Sequence, residues 1–141
     1  MFTIVLPNQA ISKIDALSEC ENVVILNLSG NTIQDLTPLS KLTQLKIVDL
    51  SDNSISNVDC FEGFKELVNL KLSGNMIKGL ESLKSLQSCI KLKNLHLQTL
   101  GGDNQNPICQ LNGYRDNLLS YLKQIGRLDS IPREMQLSNG S

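Results

Sequence analysis

A chain of 141 residues, 40% hydrophobic and 19% charged, has the size and composition of one folded domain and lacks the polar bias of a disordered segment. Thirteen basic residues against fourteen acidic ones leave a net charge of −1 and a pI near 5.8, so there is no field to gather phosphates or anionic lipid. Aromatic residues are 4% and Trp is absent, which leaves little from which to build a stacking surface for bases. Direct nucleic-acid binding and membrane association are therefore not expected.

The opening run Met1 to Leu6 is apolar, but it has no basic segment before it, and Pro7 and Asn8 interrupt it before a signal core forms. The same stretch starts a repeat. Apolar residues stand at Met1, Ile4, Leu6, Ile11, Ile14, Leu17 and Cys20, with Gln9 between the two groups. From Val23 the pattern becomes regular. Val23, Leu26 and Leu28 precede Ser29-Gly30-Asn31-Thr32-Ile33, and Leu36, Leu39 and Leu42 follow. The third unit has Leu45, Val48, Leu50, Asn53, Ile55, Val58, Phe61 and Phe64; the fourth has Leu67, Leu70, Leu72, Asn75, Ile77, Leu80, Leu83 and Leu86. Asn31, Asn53 and Asn75 are 22 residues apart. Leu92, Leu95 and Leu97 begin a fifth unit after a repeat lengthened by three residues. The units run 1–22, 23–44, 45–66, 67–91 and 92–105.

Leu-x-Leu places two side chains on one face of a strand, and apolar residues three apart suit a 3₁₀ turn. One such unit cannot bury its apolar side alone. Stacked units make a continuous core, with a parallel sheet on the concave side and turns on the convex side. Asn31, Asn53 and Asn75 read as structural, because an amide both donates to and accepts from a turning backbone. Cys20 shares its column with Leu42, Phe64 and Leu86, which predicts core packing. Cys20, Cys60, Cys89 and Cys109 include no CxxC pair, so no zinc site is expected, and reduced thiols in a cytosolic compartment are the simpler reading.

At Leu100 the Asn column is lost, and Gly101 to Pro107 is rich in loop formers. Tyr114, Leu118, Tyr121, Leu122 and Ile125 then fall at helical intervals, with Asn112 as the expected N-cap and Gly126 as the stop. That helix should lie over the last repeat. Leu128 and Ile131 alternate as in one further irregular strand ended by Pro132, so a cap over 106–131 and a frayed tail over 132–141 are expected.

The repeat resembles the leucine-rich-repeat family, in particular its 22-residue subclass typified by the regulatory subunit of protein phosphatase 1, over residues 1 to about 100. Asn106-Pro107, Tyr114-Arg115, Leu122 and Leu128-Asp129 resemble the terminal cap of a group of such proteins, among them the spliceosomal U2 A-prime protein, the repeat-type axonemal dynein light chain and the acidic nuclear phosphoproteins. Within the cap, 103–115 is most similar to centrosomal proteins that join leucine-rich repeats to a coiled coil. Where those carry Pro-Gly-Tyr-Arg this chain has Asn112-Gly113-Tyr114-Arg115, and it has no heptads; either it is an N-terminal domain or the similarity is to the wider family. The resemblance implies an α/β, right-handed leucine-rich-repeat solenoid with a C-terminal helical cap in which Tyr114 and Arg115 are structural. It further implies a non-catalytic protein-interaction module, a scaffold of the centriole, basal body or cilium in the cytoplasm. The alternatives are a phosphatase regulatory subunit and a nuclear spliceosomal adaptor.

In this frame two columns face out from the concave sheet: Thr3, Ile25, Ile47, Asn69, Asn94, and Val5, Asn27, Asp49, Lys71, His96. Val5, Ile25 and Ile47 are apolar without a core duty, as at the centre of a modest interface, although a β-branched residue also suits an exposed strand. Asp49, Lys71 and His96 share one column. With strands about 4.8 Å apart, Asp49 and His96 would stand about 10 Å from each other on an open face, too far for acid–base catalysis. No catalytic residue, cofactor or metal site is expected. The first strand would leave one sheet edge open, which predicts weak homodimerisation there.

Overall fold

The structure is a computed structural model that describes residues 2–135. Met1 and the expected tail from 136 onward lie outside the described residues. Five strands, β1 (Phe2–Val5), β2 (Val23–Asn27), β3 (Ile47–Asp49), β4 (Asn69–Lys71) and β5 (Asn94–His96), each pair in parallel with the next. Their register follows the repeat: Leu26 lies beside Val48, Val48 beside Leu70, and Leu70 beside Leu95, all closed to solvent. Between strands the apolar residues three apart wind into 3₁₀ turns at Asp15–Glu19, Thr37–Lys41, Asp59–Phe61 and Leu80–Ser88. A period of three matches three residues per turn, so Leu39, Leu83 and Leu86 all reach the core from one side. Phe61 and Phe64 meet edge to face, with ring centroids 5.3 Å apart, where the other repeats carry smaller apolar side chains.

The lengthened fourth repeat absorbs its extra residues in its turn, which has nine residues where the second has five. Ser85 Oγ donates to Val58 O (2.7 Å) and Cys89 Sγ to Phe61 O (3.2 Å), tying the wider turn to the one before it. Cys20 is only half-buried. The first repeat, with Ile4, Ile11 and Leu17 equally half-covered, has a neighbour on one side alone among the described residues.

Each framework asparagine is bonded to backbone. Asn53 Oδ1 accepts from Ile33 N (3.0 Å), while its Nδ2 donates to Leu28 O (3.0 Å) and Leu50 O (3.1 Å). Asn75 makes the same set with Ile55 N, Leu50 O and Leu72 O. Asn31 Oδ1 accepts from both Gln9 N and Ile11 N, which is how the divergent first repeat is held although Gln9 replaces its asparagine. The column does not end where the sequence ruler loses it. Asn106 Oδ1 accepts from Ile77 N (2.9 Å) and its Nδ2 donates to Leu72 O (2.8 Å) and Leu97 O (2.9 Å). It lies nine residues beyond Leu97 where Asn75 lies three beyond Leu72, so the loop formers are an insertion ahead of the asparagine.

Just before this column the chain turns through left-handed backbone at Asn8, Gly30, Asp52, Gly74 and Asn104. The alternation is steric: a Cβ on Gly30 would stand 1.9 Å from Asn8 Oδ1, and one on Gly74 2.2 Å from Asp52 Oδ1. Side chains at every level would collide across the narrow strand spacing.

The cap departs from expectation in three ways. Helix α1 (Tyr114–Tyr121) begins after Gly113, at φ 72°, and not from an Asn112 side-chain cap; the left-handed turn at Gly113 redirects the chain. It ends at Tyr121, ahead of Gly126. Gly126 N instead donates to Lys93 O (2.8 Å) and leads into the sheet, and Arg133 donates to the carbonyls of Leu119, Leu122 and Ile125. Arg133 thus belongs to the cap, past the boundary expected at 131. Finally, Leu128 and Ile131 are not on one strand: β6 (Arg127–Leu128) runs parallel to β5, and β7 (Ile131–Pro132) returns antiparallel through the positive-φ pair Asp129-Ser130. Helix α1 packs on the 3₁₀ turns Leu80–Ser88 and Pro107–Gln110.

Asn53→Ala would strand the Ile33 amide in a dry interior and take one of two amide donors from each of Leu28 O and Leu50 O, which keep Asn31 and Asn75, so urea denaturation should show a loss of about 2 kcal/mol. A loss below about 1 kcal/mol would show that water replaces the amide there.

Candidate functional site

The two columns stand on the face of the sheet opposite the turns. In register across the strands are Thr3, Ile25, Ile47, Asn69 and Asn94, and beside them Val5, Asn27, Asp49, Lys71 and His96. The first column continues onto Arg127, which pairs with Asn94 and is exposed. Arg127 escaped the sequence reading because no repeat spacing carries a column across the helix into β6.

Val5 is 55% exposed and Ile47 43%, while Ile25 between them is half-buried, so three apolar residues form a diagonal over β1 to β3. Polar groups surround it. Asn27 Oδ1 accepts from Ser29 N (3.0 Å) and Ser29 Oγ (2.8 Å), and Asp49 Oδ1 accepts from Ser51 N (3.0 Å), so both side chains are bent toward their own turns. Lys71 is exposed, and Asn69 Oδ1 is a buried acceptor without a partner among the described residues.

His96 is half-buried, and burial, then the Lys71 ammonium, hold its imidazole below the ordinary histidine range, against the opposing pull of Asp129 and Asp49. It is neutral at pH 7. Asp49 lies two strands from it with Lys71 between, so the three do not converge on one point.

The cap is built on Asp129, whose role the sequence reading missed. The amides of Leu28, Leu50 and Leu72 each donate to a carbonyl of the next strand, at Asp49, Lys71 and His96. Leu97 N has no such carbonyl and donates to Asp129 Oδ1 (2.7 Å), which also accepts from Gln98 N (3.3 Å). Asp129 Oδ2 accepts from Tyr114 Oη (2.6 Å) and Gln98 Nε2 (3.1 Å). Burial and the Asp129 charge push the Tyr114 hydroxyl far above its usual range, so it stays a donor. Arg115 Nη2 donates to Pro132 O (2.6 Å) and fastens β7 to the helix.

Burial also raises the thiols, Cys89 to about 11 and Cys60 further, so both are un-ionised at neutral pH. Among the described residues no three metal-ligating side chains come together, and no helix is long and apolar enough to cross a membrane.

Several solved structures share this arrangement. Internalin C2 from Listeria monocytogenes superposes with a TM-score of 0.71 at 20% identity, covering 91% of this chain and 50% of its own. A chain of the Drosophila melanogaster SNF/U2A′ complex gives 0.70 at 23%, covering 92% and 73%. A leucine-rich-repeat protein of Leptospira interrogans gives 0.67 at 22%, covering 94% and 32%. At these identities the likeness is one of fold, and the chain spans half the length of the internalin. The fold is a leucine-rich-repeat solenoid. Residues 21–77 match the family described as leucine rich repeat, and no curated protein matches the chain by sequence.

Because the folded protein holds His96 neutral, the unfolded chain binds more protons below about pH 6.5. Stability should therefore fall as pH drops through that value toward the lower folded one. In chemical denaturation at pH 7.5 and 5.5, His96→Gln should lose less stability than the parent; equal losses would show that His96 carries none of the dependence.

Proposed function

We propose that the chain is a non-catalytic module that binds a protein partner on the open face of its sheet. The observation that carries this is the Val5, Ile25 and Ile47 diagonal, apolar on three adjacent strands yet outside the core. Apolar surface kept in water at the centre of a polar frame is how a modest interface is composed. Asn69 supports the same face, since a buried acceptor without a partner costs about 1–3 kcal/mol that a small shift toward a docked donor would recover.

As to setting, we propose the N-terminal domain of a scaffold at the centriole, basal body or cilium. This rests on the similarity of residues 103–115 to centrosomal repeat proteins. Two rivals use the same surface: a phosphatase regulatory subunit, to which the 22-residue repeat points, and a spliceosomal adaptor, the setting of the SNF/U2A′ neighbour. Proximity labelling of the intact protein in cells, paired with its Ile47→Arg variant, separates them. Centriolar or ciliary proteins that disappear with Ile47→Arg are the expected result. Splicing proteins or a phosphatase catalytic subunit would replace the setting, and capture unchanged by Ile47→Arg would remove this face.

We further propose weak self-association through β1, an edge strand of the sheet. Leu6 N and Asn8 N point to β2, so alternation turns the Thr3 and Val5 backbone outward, and Pro7 offers no donor at the next outward position. Light scattering should show concentration-dependent dimer that Val5→Pro abolishes; a monomer at millimolar concentration would end this reading.

A further inference from the structure

A cavity of about 500 Å³ opens where the sheet meets the cap. Its apolar wall is Leu111, Tyr114, Leu128 and Ile131, with Asp129 and Arg115 as its two charged groups. Leu111 is 54% exposed, and Ile131 is half-buried.

The two charges are in different states. Asp129 accepts four hydrogen bonds, two on each oxygen, which uses the usual capacity of a carboxylate. It has nothing left with which to receive an amine or a metal ion. Arg115 is 7% exposed and meets no carboxylate at ion-pair distance among the described residues. Its Nη2 donates to Pro132 O (2.6 Å) and Met135 O (3.5 Å), whereas Nε and Nη1 have no protein acceptor among those residues. A buried guanidinium without a counter-charge favours an anion, and its fork suits a carboxylate in particular.

The cavity also adjoins the open face of the sheet. Gln98, which follows β5 beyond His96, borders it, and Asp129 lies next in register beyond the Leu95–Leu128 pair. A chain lying across the strands from Ile47 toward the cap would arrive there.

We infer that this cavity is a second anchor for the protein partner, taking an apolar side chain on a residue that bears or adjoins a carboxylate. The inference rests on the partner-binding reading above, but its test needs no partner. N-acetyl-L-leucine, an isobutyl group beside a carboxylate, is titrated into ¹⁵N-labelled protein while the amides of Gly113, Asp129 and Ser130 are followed. Saturable shifts confined to the cap are expected, with N-acetyl-L-leucinamide about tenfold weaker because it lacks the charge. Leu111→Asp, at an exposed position that leaves the fold intact, should weaken binding of the acid by tenfold or more, since it removes apolar wall and adds a like charge. No saturable shift, equal binding of acid and amide, or indifference to Leu111→Asp would each overturn the proposal. Failure here leaves the Ile47 face untouched, and failure of the Ile47→Arg comparison leaves this titration standing.

Discussion

The asparagine ladder is the constraint on which everything else in this molecule depends. A parallel sheet made of strands only three to five residues long ends at once in turns, and those turns leave amides and carbonyls facing a dry core. A carboxamide is matched to the problem, because one side chain carries an acceptor and two donors. Each ladder asparagine accepts from the repeat before it and donates to carbonyls of that repeat and its own. The side chain is thus a bond between neighbours as well as a brace for one turn. It fixes the translation from unit to unit, and the strand columns stay in register as a result.

The same accounting explains the cap. A solenoid that stops leaves its last strand with no neighbour, and here the Leu97 amide would be unpaired. Asp129 places a carboxylate oxygen where the carbonyl of a further strand would stand, while the positive φ of Asp129 and Ser130 turns the backbone away into β7. Tyr114 and Gln98 fill the remaining acceptor sites of Asp129, and Arg115 and Arg133 serve the carbonyls of β7 and of the helix end. Sheet, helix and hairpin are in this way closed by five side chains between Gln98 and Arg133.

The ladder and the core carry most of the scaffold, and among the described residues of the outward columns only Asn27 and Asp49 are bonded to the turns that follow their strands. An apolar diagonal over the first three strands, a mixed polar region over the next two, and a guanidinium-bearing cavity at the end form one continuous surface across the sheet. Its chemistry is graded along the solenoid.

Strand and turn positions were legible in the sequence from Ile4 to Leu97, as were both outward columns, because a translational repeat brings equal offsets to equal places; core positions were legible from Val23 onward, whereas in the one-sided first repeat Leu6 is exposed and Cys20 half-buried. Asn106 was equally visible as chemistry, since Asn106-Pro107-Ile108 repeats the Asn-x-Ile of Asn31-Thr32-Ile33, but an insertion moved it off the ruler. The cap was different. Whether Gly126 ends a helix or begins a strand and which group meets the Leu97 amide depend on contacts between segments more than 30 residues apart, and whether Arg133 is tail or cap depends on its reach back across the end of the helix; none of these shares a period. Periodicity determined the scaffold by itself; the end of the scaffold, and the cavity it creates, were decided only when distant unpaired backbone groups found their partners in three dimensions.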